Sequence, residues 1–575
     1  MKIIRVVIRN WRSIKKIDFC PEHITVLVGP NNAGKTNILS AINFLMGDRW
    51  PMPANLNDQD FYLGDRKRDI YIAIHLDHPE VSCIEFDTSK DKYVLTAYDS
   101  LHRPIYGFNN AYREQVAFAY VDAARSFERQ FGVSRWTMFG QAVRLLHEDL
   151  KAYEDGAALP PLKDALDKAH EILRTELYVK FEKAMRDAFA AQLKSAGYDV
   201  SFEFRTIDET NLYRSLYPML VENGKSKSPS EVGSGVRNLL VLALFQAFAE
   251  SFRGGAILGI EEPELYLHPH AQRSLASQFE DLAALGNQVF ISTHSAAFLD
   301  ITLSERIVIV DRCPDDEGEV CSSVRTSSTA KLLAKRSGLY PNGNINETSL
   351  RAFLRNVKTV EMAEPYFARL VIIVEGQSER EALPMLLAKT GLHLDAEGIS
   401  IVAAGGKTVL DTLVHLYGAH DIPTYVIFDN DKNGTPAERN FNMTLCRLLG
   451  QPETDLPAPV VAANYAILDG DWEHQVEHDV DALYGEGYYA GLVQKAKELL
   501  LIVGKRNKPL IARWVAEHLC STNQIPPFVS QMSAMIRALL PNQAVPPPPP
   551  PFPPPPPAPT QNSSWGWDLD DDVPF

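Results

Sequence analysis

Short apolar runs and helix-like segments alternate along the first 330 residues. The runs with the character of strands are IRVVIR, ITVLV, YIAIHL, AFAYV, AILGIEE and QVFIST. Between them, apolar residues recur at helical spacing. This alternation predicts an α/β fold, in which helices cover a central sheet.

The pattern changes between about residues 141 and 196, where the sequence predicts two or three amphipathic helices and no strand, within a segment bounded at 141 and 200. We interpret this stretch as a helical insert that serves dimerisation. It divides the first domain into an N-terminal part, 1–140, and a C-terminal part, 201–330.

A second α/β set begins at RLVIIVEG and continues with ISIVAAGG, TYVIFDND and VVAANYAIL. These runs predict a second domain over 366–540, joined to the first by a polar linker, 331–365. Thirteen of the 38 prolines follow position 545. Because such a segment cannot build a packed core, we expect 541–575 to be a disordered, proline-rich acidic tail.

Composition excludes several classes of protein. Lys and Arg number 57 against 73 Asp and Glu, for a net charge of −16, so any contact with nucleic acid must be local or metal-mediated. The six cysteines contain no Cys-x-x-Cys pair, which argues against a disulfide framework or a zinc site. The longest apolar stretch, 239–249, is too short to span a membrane. Arg5 and Arg9 interrupt the first apolar run, so we expect no signal peptide and a cytoplasmic protein.

The first candidate site is a phosphate-binding loop. GPNNAGKT, at 29–36, matches GxxxxGK[ST] and lies between a strand-like and a helix-like run. In this motif backbone N–H groups wrap the phosphates, the lysine reaches the β- and γ-phosphates, and the hydroxyl holds Mg²⁺. The residues expected to bind ATP and its Mg²⁺ here are Gly29, Asn31, Asn32, Gly34, Lys35 and Thr36.

Two later strand ends complete a nucleotide site. Glu261 and Glu262 follow an apolar strand, and we assign Glu261 to the magnesium shell and Glu262 to the catalytic base that polarises the attacking water. His294 follows the next strand, where a γ-phosphate sensor would lie. Ser234 and Gly235 belong to a small-residue loop that precedes a helix.

This order of motifs resembles ATPases of the ABC class, whose signature loop closes over ATP bound to another protomer. Four segments resemble, more specifically, the overcoming-lysogenisation-defect (OLD) nucleases. They are IRNWRSI, YVDAARSF, EEPELYLHP and STHSAAFL. That family shares its ATPase ancestry with RecF and the structural-maintenance (SMC) proteins. The resemblance implies an ABC-type, RecF/SMC-like ATPase domain, and it extends from residue 1 to about residue 540.

The second candidate site is a cluster of acids at strand ends. Glu375 and Glu379 follow the run LVIIV, and Asp429 and Asp431 form a DxD after YVIF. Carboxylates that converge from strand ends are hard ligands suited to Mg²⁺ or Mn²⁺, and two such ions can serve phosphodiester cleavage. The arrangement resembles the Toprim fold of topoisomerases, primases and OLD nucleases. We therefore expect Glu375 and Asp429 to be catalytic as well.

A third acidic group, DGDWE at 469–473, offers Asp471 and Glu473 as further metal ligands, although DGD is equally typical of a turn. In the family a lysine near this point completes the nuclease centre, and we choose the catalytic lysine to be Lys508 rather than Lys505. We interpret Lys407, in AAGGKT, as part of a turn, with DNA contact as the less favoured alternative.

The resulting hypothesis is an ATP-binding, metal-dependent DNA endonuclease of the OLD family, acting as a homodimer or larger homo-oligomer. The resemblance implies a role in phage defence, either like the Gabija nuclease subunit with a UvrD-like helicase partner, or with a retron. One alternative is a non-cleaving, ATP-switched DNA clamp or repair mediator. A topoisomerase or primase is disfavoured, since neither a breakage-reunion tyrosine domain nor a primase zinc motif is evident.

The tail adds a separate hypothesis. It ends in WGWDLDDDVPF, and its last six residues, Asp570 to Phe575, resemble the acidic tip of bacterial single-stranded-DNA-binding proteins (SSB). In such tips the terminal Phe enters an apolar pocket and a basic residue captures its carboxylate. We expect a polyproline II spacer to present this tip to host proteins that bind SSB.

Overall fold

The structure is a computed structural model. It describes residues 1–90, 94–123, 130–131, 137, 139–140, 142–143, 146, 175–192, 198–204, 216–252, 255–340, 343, 345–502, 507–522 and 525–540. All structural statements below refer to these residues. The proline-rich tail lies outside them.

The strands are β1 Lys2–Trp11, β2 Ile14–Phe19, β3 Ile24–Val28, β4 Tyr71–Asp77, β5 Cys83–Asp87, β6 Leu95–Tyr98, β7 Phe118–Val121, β8 Tyr198–Phe204, β9 Leu216–Glu222, β10 Lys225–Lys227, β11 Ile257–Glu261, β12 Gln288–Ser292, β13 Ile307–Pro314, β14 Val320–Thr326, β15 Leu370–Val374, β16 Ile399–Ala403, β17 Thr424–Asp429, β18 Val460–Val461 and β19 Tyr465–Leu468. The helices are α1 Lys35–Met46, α2 Asn110–Gln115, α3 Glu176–Gln192, α4 Ser234–Phe252, α5 Pro269–Ala284, α6 Thr329–Leu339, α7 Glu347–Val357, α8 Gln377–Lys389, α9 Leu394–Glu397, α10 Lys407–Gly418, α11 Pro436–Leu448, α12 Trp472–Tyr484, α13 Tyr488–Leu499, α14 Lys508–Ser521 and α15 Pro527–Leu539.

The first domain is organised around a six-stranded sheet in the order β14-β13-β3-β12-β11-β7. Strands β13, β3, β12, β11 and β7 are parallel, and β14 runs antiparallel at one edge. Every residue of β3, β11 and β12 is buried, which explains their continuous apolar sequences. The carboxyl ends of these three strands therefore share one edge of the sheet, where the nucleotide motifs begin.

A second, antiparallel sheet of the first domain has the order β2-β1-β4-β5-β6. It packs over α1 in an apolar core that includes Trp11, Ile38, Ile42 and Phe86. A third sheet, β10-β9-β8, has three strands, and β8 begins at Tyr198, inside the bounds 141–200 of the predicted insert. The α/β fold expected from the alternating pattern is confirmed, with strands at each of the apolar runs that predicted one.

The predicted helical insert, 141–200, falls largely outside the described residues. Its described helix, α3, buries Tyr178, Phe181, Met185 and Phe189 at spacings of three and four residues. These side chains belong to the same apolar core as residues of α4. The dimerisation role of the insert stays a prediction.

The predicted linker, 331–365, contains more regular structure than its polar composition indicated. Helices α6 and α7 occupy most of it, and each begins with a capping side chain, Ser328 or Asn346. Their buried leucines, Leu332, Leu350 and Leu354 among them, join the central core. The polar pattern hid these helices because each buries a single narrow stripe.

The second domain contains a five-stranded sheet in the order β16-β15-β17-β19-β18. Strands β15, β16, β17 and β19 are parallel and β18 is antiparallel. Because the chain passes from β15 to β16 and then returns to β17 on the other side of β15, the strand order reverses beside β15. Parallel α/β sheets bind ligands at such a reversal, outside the carboxyl ends of the strands.

The two domains touch through the loop after α10. His420 is fully buried, and its Nε2 lies 3.1 Å from Ser304 O and 3.2 Å from Ile307 O. Arg325 donates to the carbonyl oxygens of His420 and Asp421. Since Ile307 begins β13, the neighbour of the phosphate-loop strand β3, the second domain rests directly on the six-stranded sheet of the first domain.

Among the helices that the structure describes, none is long and apolar enough to span a membrane.

Candidate functional sites

The phosphate loop lies between β3 and α1 and depends on two glycines. Gly29 has φ 141° and Gly34 has φ 115°, a region that side chains other than glycine rarely adopt. A Cβ at Gly29 would overlap Val310 O, and one at Gly34 would overlap Ser322 Oγ. The sequence motif is therefore also a packing requirement of this fold.

Lys35 is buried at the start of α1, and its ammonium donates to the carbonyl oxygens of its own loop, Gly29 O at 2.8 Å and Pro30 O at 3.0 Å. His294 Nε2 lies 3.0 Å from Lys35 Nζ. Burial lowers the pKa of Lys35 to about 8, although the nearby carboxylates of Glu262, Glu264 and Glu261 act in the opposite direction. Burial, followed by the charge of Lys35, also lowers the pKa of His294.

The polar side chains of the loop other than Lys35 face solvent. Asn31, Asn32 and Thr36 are exposed, so they are accessible to a phosphate or to an ion at the helix start. Asn37 donates to Ser13 Oγ at 2.7 Å, and Ser322 donates to Ala33 O at 2.6 Å. These bonds brace the loop from the side opposite the solvent.

The two acids after β11 have different surroundings. Glu261 is buried, and it accepts hydrogen bonds from the Tyr120 hydroxyl at 2.7 Å and from Ala123 N–H at 3.1 Å. Glu262 has φ 43°, and its N–H donates to Ser292 O at 2.7 Å. This turn brings Glu262 next to the last residue of β12. His294 follows that residue by two positions.

Glu264 is a residue of this site that the sequence did not single out. Its carboxylate accepts the Thr293 hydroxyl at 2.8 Å and the His294 N–H at 2.5 Å. It therefore joins the acidic loop after β11 to the histidine loop after β12. The sequence signal that could have identified Glu264 was its place in EEPE, two residues after Glu262.

Helix α4 begins at Ser234, which places the small-residue loop at a helix N-terminus. A Cβ at Gly235 would lie 3.8 Å from Tyr266 Cβ, so this loop is adjacent to the segment that follows the Glu261–Glu262 pair. The completion of a nucleotide site by this loop from a second protomer stays a prediction.

The second site lies at the carboxyl edge of the second-domain sheet. Glu375 follows β15, Asp429 ends β17, and Asp471 follows β19 and caps α12. Because β17 lies between β15 and β19, the three acidic loops are neighbours. The expectation that these acids converge is met by the order of the strands.

Glu375, Glu379 and Asp429 are close enough to perturb one another. Asp429 N–H donates to Glu375 Oε2 at 3.2 Å. Burial, together with the charges of Glu379 and Glu375, raises the pKa of Asp429 well above its usual value. Burial also raises the pKa of Glu379 to about 7, with further upward contributions from Glu375 and Glu473. Among the described residues, the buried Asp429 Oδ1 has no hydrogen-bond partner.

Asp471, Glu473 and Lys508 form the outer part of the same site. Lys508 Nζ, at the start of α14, lies 3.2 Å from Asp471 Oδ2 and 3.0 Å from Glu473 Oε2. Burial alone would raise the pKa of Asp471, but the His474 N–H and the charge of Lys508 outweigh it and lower this pKa. Ser378 donates to Glu473 Oε1 at 2.8 Å, which links this group to the loop after β15.

Lys407 directly follows the turn after β16 and contacts acids of this site. It begins α10 and is buried, and its ammonium forms an ion pair with Asp431. Its Nζ also lies 3.9 Å from Glu375 Oε2. The signal in the sequence was weak, a lysine after two glycines at a strand end. The sequence did not show that this strand, β16, is adjacent to β15.

The donor set fits a divalent cation. Every candidate ligand is a carboxylate, the hard oxygen donor that Mg²⁺ and Mn²⁺ prefer. The unpartnered, buried Asp429 Oδ1 is an acceptor that a cation would satisfy, whereas an unpaired buried polar atom is otherwise costly. That Glu375, Glu379, Asp429, Asp431, Asp471 and Glu473 hold such ions stays a prediction.

Two family models match the chain. The first, described as "AAA domain, putative AbiEii toxin, Type IV TA system", covers residues 24–300. The second, described as "Overcoming lysogenization defect protein-like, TOPRIM domain", covers residues 366–431. The chain thus combines an AAA-type ATPase domain with an OLD-like Toprim domain, and the resemblance inferred from the motifs is confirmed.

Curated relatives match most of the chain. An OLD nuclease of Thermus scotoductus is 28% identical over 74% of this chain and 81% of its own length. The Old nuclease of Escherichia phage P2 is 24% identical, over 75% and 77%. Endonuclease GajA of Bacillus cereus is 23% identical, over 79% and 80%. Among solved structures, an SMC head bound to the winged-helix domain of ScpA matches with a TM-score of 0.40 and 14% identity, over 58% of this chain and 99% of that one.

Proposed function

We propose that this OLD-like chain, an AAA-type ATPase domain followed by a Toprim domain, is an ATP-binding DNA endonuclease that depends on divalent metal. The proposal rests on one observation above all. Carboxylates from the ends of β15 and β17 meet in a half-buried site, where Asp429 Oδ1 lacks a partner among the described residues. Named nucleases are similar to the chain over most of its length.

The residues of the Toprim site would have different roles, as metal ligands or as a contact to the DNA phosphate. Glu375 and Asp429 would hold the ion nearest the scissile phosphate, with Glu379, Asp431, Asp471 and Glu473 as further ligands. Bound Mg²⁺ or Mn²⁺ would supply an activated water and stabilise the charge on the phosphate oxygens. Lys508, which is half-exposed and paired with two carboxylates, would meet the negative charge of the DNA phosphate.

The ATPase site contributes a separate reaction. Lys35 would leave the carbonyl oxygens of its loop to contact the β- and γ-phosphates, and Thr36 and Glu261 would support Mg²⁺. Glu262 would orient the attacking water, and His294 would contact the γ-phosphate. Ser234 and Gly235 would close over a nucleotide bound to a second copy of the chain, so that dimerisation is part of ATP binding.

A role in phage defence is the cellular function we propose, because the resemblance to the Gabija nuclease implies it and Endonuclease GajA is similar to the chain over 79% of the chain's length. The protein would act in the cytoplasm, with DNA as substrate and with a UvrD-like helicase or a retron as partner. The acidic tip, 570–575, would add host SSB-binding proteins as partners.

The experiment that tests the proposal uses purified full-length protein and supercoiled plasmid. We expect nicking or linearisation with Mg²⁺ or Mn²⁺ and none in EDTA, and ATP should change the rate. The absence of cleavage with both metals, with and without ATP, on protein that binds Mn²⁺ would refute nuclease activity and favour a non-cleaving, ATP-switched clamp.

A further inference from the structure

Lys407 is among the most buried lysines of the described chain. It begins α10 directly after Gly405 and Gly406, both of which have positive φ, and its side chain is 6% exposed. A lysine is seldom buried to this extent unless its charge is paired. Its burial also keeps it from reaching a DNA backbone directly.

The ammonium of Lys407 is surrounded by acceptors of the DxD turn. Nζ donates to Asp429 O at 2.6 Å and to Asn442 Oδ1 at 2.7 Å, and it pairs with the Asp431 carboxylate. The three donors of the ammonium are thereby used. Lys407 thus holds both the backbone and a side chain of the turn that carries the expected ligands.

Asn442 extends this arrangement from α11. It is fully buried, and its amide donates to Asn430 O and to Asp455 O, each at 2.9 Å. Lys407 and Asn442 therefore fix the carbonyl groups of two consecutive residues, 429 and 430. Asp431, which follows, has φ 52°, a strained conformation that persists only where its surroundings impose it.

Charge gives the contact a second consequence. The ammonium pairs with the Asp431 carboxylate, and Glu375 Oε2 lies 3.9 Å from it. Its charge also partly offsets the rise in the pKa of Asp429 that burial and the neighbouring acids cause. Like charges in a half-buried site repel one another strongly, because the interior screens them less than water does. The ammonium reduces this repulsion before a divalent cation binds.

We propose that Lys407 is a positioning residue of the Toprim centre, which holds the Asp429–Asp431 turn in its ligand geometry and balances its negative charge until a divalent cation binds. The inference rests on the proposed nuclease function. It gives Lys407 no contact with the substrate: the residue acts through the carboxylates.

Four full-length proteins test the inference: the wild type, Lys407→Met, Lys407→Arg and Lys432→Met. Lys432 is the matched control, because it lies in the same turn but pairs with Asp469, outside the expected ligand set. Each protein is measured in EDTA and in Mn²⁺ for thermal stability, by titration for Mn²⁺ binding, and on plasmid DNA for kcat and KM.

In EDTA we expect Lys407→Met to melt about 5 °C or more below the wild type, because removal of one partner leaves buried carboxylates unpaired. Mn²⁺ should raise its Tm more than that of the wild type, since the ion replaces the missing charge. In saturating Mn²⁺ its kcat should fall about tenfold or more, with KM for DNA unchanged. Lys432→Met should match the wild type in Tm and Mn²⁺ affinity.

The Arg variant separates charge from folding. With its charge retained, Lys407→Arg should stay within a few degrees of the wild-type Tm in EDTA, even if the Met variant does not fold. Equal destabilisation of the Arg and Met variants would overturn the inference, as would a Met variant with wild-type Tm and kcat. A raised KM with unchanged kcat would instead assign Lys407 to DNA contact. If the wild type itself does not bind Mn²⁺, the proposed metal dependence is refuted. That result is distinguishable from a failure of the inference about Lys407, which the variants test.

Discussion

The Ser378 hydroxyl donates a hydrogen bond of 2.8 Å to Glu473 Oε1, which joins two acidic loops that are 95 residues apart in the chain. Ser378 lies in the first turn of α8, between Glu375 and Glu379, and Glu473 lies in the first turn of α12. Glu473 also contacts Lys508. Three helix N-termini, of α8, α12 and α14, therefore meet around one carboxylate.

Cleavage should depend on the Toprim carboxylates. Glu375→Gln or Asp429→Asn should abolish plasmid nicking and leave ATP binding intact, because each removes a charged ligand without changing the side-chain shape. Glu381→Gln is the matched control, since Glu381 lies on α8 but pairs with Arg513. Nicking at the wild-type rate by both purified variants would refute the assignment of the nuclease centre.

Lys508 should contribute to catalysis rather than to folding. We expect Lys508→Ala to reduce the cleavage rate by about tenfold to 100-fold, because it removes the cation next to Asp471 and Glu473, while Tm changes little since the side chain is 54% exposed. Arg513→Ala, on the same helix, removes an exposed cation away from this group and should cleave normally. Equal rates for the two variants in a single-turnover plasmid assay would contradict the role.

The nucleotide site should be shared between protomers. Lys35→Ala should impair ATP binding, and Glu262→Gln should slow turnover while ATP remains bound. A mixture of Lys35→Ala and Ser234→Arg chains should regain part of the ATPase activity, since a mixed dimer contains one intact composite site. The controls are that each variant alone is folded but inactive and that mixed dimers form. If these controls hold and ATPase activity does not recover, the nucleotide site is not shared between protomers.

Acid should weaken the contact between the domains through His420. Burial lowers the pKa of His420 to about 4, whereas an unfolded histidine titrates near 6.5. Between these values the unfolded chain binds a proton that the folded chain does not. Stability is therefore full above pH 6.5 and is lost as the pH falls toward 4, by on the order of 3 kcal/mol for this one group.

The measurement is Tm between pH 7.5 and 5. His420→Gln cannot titrate, so its Tm should fall less with acid than that of the wild type. His415 also has a pKa lowered by burial to about 4 and should leave a residual dependence. His478→Gln, at an exposed histidine, should follow the wild-type curve; parallel curves for all three proteins would contradict the prediction.

The tail should act independently of the core. A peptide of residues 563–575 should compete with an SSB-tail peptide for an SSB-binding repair protein, because the terminal Phe and the preceding aspartates supply the same apolar and acidic contacts. Removal of Phe575 should end this competition and leave plasmid nicking unchanged. A lack of competition at low salt, across several SSB-binding proteins, would leave the tail as a solubilising extension.

Much of the fold follows from the sequence for a simple reason. Strands such as β3, β11 and β15 are buried on both faces, so their continuous apolar sequences identify them without any tertiary information. The acids that follow them, and the loop at 29–36, are recognisable because phosphate and metal binding restrict residue type and spacing. The two sets of strand-like runs then predicted two domains, and the proline content predicted a tail without a core.

Tertiary structure decided which of these acids meet and which cations serve them. The strand order places β16 beside β15, and only this neighbour relation brings Lys407 to Asp431. Ser378 contacts Glu473, which is 95 residues away in the chain. Glu264 contacts Thr293 and so joins the segments that follow two different strands, β11 and β12. A sequence pattern reports the burial and spacing within one segment, whereas hydrogen bonds and charge compensation depend on distances between segments, and those are set by the packing of the sheet and its helices.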